Sequence, residues 1–192
     1  MLILGSKSPR RRELLSKAGI DFTIVLKEVE EDISENDPNL YAMKTAEKKG
    51  LALLNDKELN KKYNFNDNRI LCADTVVAIS NQILGKPHNK EEARMMINKI
   101  SGNVHDVITG VFLTKANSNS NRDYELFSVC TKVYVKKLTD KEIEEYISSD
   151  EPYDKAGGYG IQGLFGKYID RIEGDYNNVV GLPLESVLKK LI

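Results

Sequence analysis

Ten consecutive residues, Ile70-Leu71-Cys72-Ala73-Asp74-Thr75-Val76-Val77-Ala78-Ile79, are apolar at nearly every position. A strand with one face in water would alternate apolar and polar residues. A run without alternation reads instead as a strand inside a sheet covered on both faces. Asp74 is the anomaly within it. A carboxylate in such a strand must be paired, metal-bound or at an open strand end, because a lone buried charge is costly or shifts its pKa. The plainer alternative is a structural Asp that caps the strand end.

The rest of the chain supplies partners for that strand. Leu2 to Leu4 is a short apolar run stopped by Gly5, and Ser8-Pro9 forms a helix start ahead of Leu14, Leu15 and Ala18. Phe22 to Leu26 is a second strand candidate, and Asp37-Pro38 opens a helix to Leu54. Asn55 to Asn68 is polar and reads as a connection or helix extension. Ser80-Asn81-Gln82 turns back into Ile83-Leu84, and Asn89 with Glu92 caps a helix to Ile100. Val107 to Thr114 and Leu126 to Val135 read as antiparallel strands joined by the loop Asn117 to Asn121. Thr139 with Glu142 is a capping box for a helix to Ile147, and a last helix starts near Pro183. Parallel and hairpin elements together predict an α/β protein with a mixed sheet.

At 192 residues the chain can bury a core without disulfides or a structural metal. Lys plus Arg is 28 and Asp plus Glu is 29, for a net charge of −1. That balance excludes the basic excess of a protein that lives on duplex nucleic acid or an anionic membrane, so any bound anion should be small and met locally. Cys72 and Cys130 lack neighbours at metal-ligand spacing, which excludes a zinc site or disulfide framework. No signal-like or membrane-length apolar segment is found, and the expected location is cytoplasmic.

Four segments could carry chemistry. Ser6-Lys7-Ser8-Pro9-Arg10-Arg11-Arg12 places four cations and two hydroxyls at a strand-to-helix loop, as a phosphate chain requires; a solvated basic helix start is the alternative. Glu28 to Asp37 holds six carboxylates without a cation. Such runs are usually solvated surface, but beside a triphosphate site they could help hold Mg²⁺. Asp74 is the sharpest candidate, and Lys86 could serve as its counter-ion or reach phosphate. The Gly-rich stretch around Gly157 to Gly163 permits close backbone approach, and Gln162 could read a base edge. His105 reads as structural, and Asn177-Asn178 has no interpretation from sequence.

Six ordered blocks recur in one family: Ser6-Lys7-Ser8-Pro9-Arg10-Arg11; Ala73-Asp74-Thr75-Val76-Val77; Gly85-Lys86-Pro87; Ser101-Gly102 with His105 and Thr109-Gly110; Glu151-Pro152 through Ile161-Gln162-Gly163; and Gly174-Asp175-Tyr176 before Val179 to Leu184. Together they resemble the Maf family of nucleoside triphosphate pyrophosphatases. The resemblance implies one domain over residues 1–192, with an elongated mixed sheet flanked by helices as in the inosine triphosphate pyrophosphatases. It implies cleavage between the α- and β-phosphates, with Mg²⁺ or Mn²⁺ as cofactor. Asp74 matches the general base, and Glu31 with Asp74 the metal side. Ser8, Arg11, Lys48 and Lys86 match the remaining metal- and phosphate-side residues, although Lys48 has no signal of its own. Arg10, Thr75 and Gln162 match the dTTP/UTP branch. Normal or modified pyrimidine nucleotides, nucleotide-pool sanitation and a link to cell-division arrest all follow from the same resemblance, and a homodimer is left open. The rivals are the 7-methyl-GTP branch and a non-catalytic nucleotide-binding regulator of septum formation.

Overall fold

The computed structural model describes residues 1–65, 67–115 and 123–191. In chain order its elements are β1 (Leu2–Leu4), α1 (Pro9–Lys17), β2 (Phe22–Ile24), α2 (Pro38–Leu54), α3 (Lys57–Tyr63), β3 (Arg69–Ile79), β4 (Gln82–Leu84), α4 (Lys90–Ile100), β5 (Val104–Thr114), β6 (Tyr124–Val135), α5 (Asp140–Ile147), β7 (Ile169–Glu173), α6 (Tyr176–Val180) and α7 (Leu184–Leu191). Three short 3₁₀ turns lie between α5 and β7. The seven strands form one mixed sheet in the order β2-β1-β3-β5-β6-β7, with β4 added to β3.

The apolar run is β3, and Ile70 to Ala73 are at most 1 % exposed. One edge of β3 pairs antiparallel with β5 from Leu71 to Ala78. The other edge is shared: β1 runs parallel beside Arg69–Leu71, and β4 antiparallel beside Val77–Ile79. Between these short partners, Cys72 to Val76 pair with β5 alone among the described strands. The sheet therefore has a gap in one edge beside Asp74, flanked by the loops that leave β1 and β4.

Side chains on β3 alternate between faces. Cys72, Asp74, Val76 and Ala78 face α2, while Leu71, Ala73 and Thr75 face the layer that holds α1 and α7. Gly110, directly opposite Asp74, lets α2 sit down on the sheet: a Cβ there would lie 2.2 Å from the Ala42 carbonyl. The predicted caps form as hydrogen bonds. Ser8 Oγ accepts from Arg11 N, Asp37 from Asn39 and Leu40 N, Asn89 from Glu92 N, and Thr139 with Glu142 closes a capping box.

Several boundaries differ from the sequence reading. β5 begins at Val104, earlier than Val107, because Val104 to Asp106 still pair with β6. The Asn55–Asn68 stretch contains a separate helix, α3, capped by Asp56. β7 and α6 were not foreseen, since Ile-Asp-Arg-Ile-Glu lacks an apolar run and α6 is only five residues long. The predicted loop Asn117 to Asn121 lies outside the described residues. Among the described residues, no helix is long and apolar enough to cross a membrane.

Candidate active site

The gap in the sheet edge opens into a cleft of about 950 Å³. Its walls are the Gly5–Arg11 loop, Glu31, α2 at Tyr41 and Lys49, the Ala73–Val77 stretch of β3, Gly85-Lys86 and the Tyr159–Gly163 loop. Asp74, Glu31, Ser8, Arg10, Arg11, Thr75, Lys86 and Gln162 thus share one cavity, although sequence separates them by up to most of the chain.

Asp74 does not stand alone. Lys49 Nζ donates to Asp74 Oδ1 at 2.7 Å and reaches Glu31 Oε1 at 2.8 Å. The side chains of Asp74 and Lys49 are 16 % and 20 % exposed, so the pair is largely shielded from water. Burial pulls the Lys49 pKa down, but the charge of Asp74 and the hydrogen bonds to Asp74 and Glu31 outweigh it, and the net shift is upward. The ammonium stays charged, and two carboxylates converge on one cationic position.

The counter-ion suggested for Asp74, Lys86, is not the one it has; Lys86 lies on the cleft wall at the loop after β4, and Lys49 holds the acid. Lys48 is directed elsewhere and pairs with Asp32 outside the cleft. Adjacent helix residues point about 100° apart, and here Lys48 and Lys49 take different carboxylates, Asp32 for the one and Glu31 with Asp74 for the other. A signal for Lys49 was present in the sequence: Ala42, Ala46, Lys49 and Leu53 recur at helical spacing, and the three apolar members are buried. A lysine on that stripe must find a carboxylate.

On the opposite face of β3, Arg11 is buried with its guanidinium turned into the protein. Nε donates to Gly181 O at 2.7 Å, Nη1 to Ser6 Oγ at 3.0 Å and Ala73 O at 2.9 Å, and Nη2 to Thr75 Oγ1 at 3.0 Å. Burial lowers its pKa, with the charge of Asp74 working in the other direction. Arg10, by contrast, is partly exposed on the cleft wall, 3.9 Å from Asp154.

The Gly-rich loop is fastened from behind. Glu151 accepts from Leu164 N at 2.6 Å and from Tyr146 Oη at 3.1 Å, and Gly157 N donates to Gly85 O at 2.9 Å. A Cβ at Gly163 would meet Glu151 Oε2 at 2.3 Å, so any side chain there would have to displace that carboxylate. His105 is 2 % exposed, with Nε2 2.6 Å from Tyr159 Oη, and burial pushes its pKa down to about 4. Gln162 lies exposed on the cleft rim.

Among the described residues no cluster of three or more His, Cys, Asp or Glu forms a closed metal site. Glu31 and Asp74 nevertheless offer two hard carboxylate donors around a point where an ammonium already sits. That set suits an ion such as Mg²⁺, which usually takes one or two carboxylates and completes its shell with phosphate oxygens and water.

The family model for Maf-like proteins matches residues 1–192. A protein of Desulfitobacterium hafniense (strain Y51) is 46% identical over 195 residues, covering 100% of this chain and 84% of that one. One of Lachnoclostridium phytofermentans is 40% identical over 190 residues, 99% of this chain and 93% of its own. One of Bacillus anthracis is 42% identical over 191 residues, with the same shares of 99% and 93%. All three carry the name dTTP/UTP pyrophosphatase.

Proposed function

This chain belongs to the Maf family, and from that premise we propose that it hydrolyses dTTP and UTP to the nucleoside monophosphate and pyrophosphate. The observation that carries the reading is the Glu31–Lys49–Asp74 cluster beside the gap in β3, facing the cationic start of α1 across one cleft.

In this reading Asp74 is the general base. Lys49 holds Oδ1, so Oδ2 is the oxygen assigned to take the proton from water. That water attacks the α-phosphorus, the bond to the α–β bridging oxygen breaks, and pyrophosphate departs. Lys49 orients the carboxylate in a partly buried site. Arg10, Lys86 and Ser8 meet the phosphate chain at the helix start and the facing loop, where cations and N–H groups favour anions. Phosphoryl chemistry of this kind asks the protein mainly for positioning and charge stabilisation.

Glu31 and Asp74 are the residues that would hold Mg²⁺ or Mn²⁺. When bound, such an ion neutralises charge on the phosphate oxygens. Gln162, on the rim, can both donate and accept and so suits a pyrimidine edge. In this reading the enzyme acts on free nucleotides in the cytoplasm.

The test is a panel of dTTP, UTP, CTP and 7-methyl-GTP with Mg²⁺ and with Mn²⁺, read by pyrophosphate release. Fastest turnover of dTTP and UTP is expected. Preference for 7-methyl-GTP would overturn the substrate assignment, and nucleotide binding without turnover of any member would overturn the enzymatic one.

A further inference from the structure

We propose that Arg11, Thr75 and Asn178 form one positioning unit that fixes the floor of the cleft, so that Arg11 orders the protein rather than the phosphates. The inference rests on the proposed pyrophosphatase reading and concerns how that site is held.

A guanidinium has five N–H bonds. Four of those on Arg11 donate to Gly181 O, Ser6 Oγ, Ala73 O and Thr75 Oγ1. These acceptors come from the loop after β1, from β3 and from the corner between α6 and α7. The fork geometry of Arg is what allows one side chain to join all three. A phosphate ligand would keep that fork open to the cleft.

Thr75 is equally engaged. Its hydroxyl has one hydrogen and two lone pairs. It accepts from Arg11 Nη2 and lies 2.9 Å from Thr109 Oγ1 and 3.3 Å from Gly181 O. Whether its hydrogen goes to Thr109 or to Gly181, none remains for a base carbonyl. Position 75 therefore also influences substrate choice through the posture of Arg11 and Gly181, beyond any contact its cleft-lining side chain makes.

Asn178 is the far anchor, and this role gives the uninterpreted Asn177-Asn178 pair its meaning. It is 0 % exposed and does not line the cleft. Its Nδ2 donates to Val107 O at 2.9 Å and Thr131 Oγ1 at 3.0 Å, and its backbone carbonyl accepts from Thr109 Oγ1 at 3.3 Å. A helix as short as α6 cannot hold itself. Asn178 ties it to β5 and β6, and three residues on, Gly181 presents its carbonyl to Arg11 at a φ of 130° that side-chain-bearing residues rarely adopt.

The experiment compares wild type with Arg11→Lys and Asn178→Ser, measuring kcat and KM for dTTP and calorimetric binding of inorganic pyrophosphate with Mg²⁺. Arg11→Lys keeps the charge and loses the fork. The expected result is a kcat lower by about 100-fold for Arg11→Lys and about 10-fold for Asn178→Ser, as displacement of reacting groups produces. KM and pyrophosphate affinity should stay within about 3-fold. The double variant Arg11→Lys/Asn178→Ser should lose less than the product of the two single losses, because the residues act through one network. A parallel tenfold or greater loss of pyrophosphate affinity in Arg11→Lys would make Arg11 a phosphate ligand and overturn the proposal, as would unchanged kcat in both variants. If Arg11→Lys does not fold, Thr109→Val, which keeps the β-branched shape and removes one hydroxyl, should show the same kcat-only loss of about 10-fold; unchanged kcat there overturns the proposal. An inert wild type would strike the functional reading and this inference together, whereas an active wild type with the wrong variant pattern strikes this inference alone.

Discussion

The two faces of β3 at residues 74 and 75 solve different problems. On the Asp74 face, a partly exposed lysine bridges two carboxylates, and the groups are charged, few and open to a ligand. On the Thr75 face, Arg11, Thr109 and Asn178 are buried and joined to neutral carbonyls and hydroxyls, with their hydrogen-bonding capacity turned inward. The lesson is that an open sheet edge lets adjacent residues of one strand, directed to opposite faces by the pleat, serve the same cleft in unlike roles. Ion pairs gather on one face, and hydrogen bonds from Arg11, Thr109 and Asn178 to neutral acceptors tie the other together.

That contrast can be broken most severely at Asp74. Asp74→Asn should lower kcat for dTTP by about 1000-fold, within the range for loss of a general base, while pyrophosphate still binds. Steady-state kinetics with calorimetry checks both halves. Retained turnover would move the chemistry off this face.

The next effect belongs to the quiet face, where His105 lies. Its pKa of 6.5 in the unfolded chain falls to about 4 in the fold because burial disfavours the imidazolium. Between those values the unfolded chain binds a proton that the folded one refuses. The stability contribution is complete above about pH 6.5 and is lost as pH falls toward 4, by about 3 kcal/mol. Thermal melting against pH should show this decline in wild type and a flatter profile in His105→Gln.

Gly110→Ala sharpens the comparison from the Asp74 face. The added methyl meets the α2 backbone, so the helix that carries Lys49 must lift, and the expected cost is about 2 kcal/mol. Denaturant unfolding measures it, and kcat should fall along with stability because the Lys49–Asp74 pair is stretched. The smallest effect should be Lys49→Arg. Lys49 acts as a point charge between carboxylates, which a guanidinium can replace, and kcat should fall by no more than about 10-fold. A loss as large as that expected for Arg11→Lys would erase the distinction between the faces.

Much of the fold was legible from local chemistry. Ser8-Pro9, Asp37-Pro38, Asn89 and Thr139 announced helix starts because a cap satisfies its own helix with neighbouring residues. β7 and α6 were hidden because their residues are ordered by partners distant in sequence: β7 by β6, and α6 by Asn178 reaching Val107 and Thr131. Asp74 was conspicuous as an acid within an apolar run. Lys49 was overlooked beside Lys48, although the apolar stripe on α2 distinguishes the two.

The sequence by itself determined the central strand, the caps, the charge balance and the set of motifs, since each depends on residue type and short-range spacing. Only the tertiary structure decided that β1 and β4 stop short of one another along β3, that Lys49 rather than Lys86 neutralises Asp74, and that Arg11 turns inward to Gly181. Those outcomes depend on which groups meet across long stretches of chain, and a side chain's partner is fixed by packing and register, not by its own identity.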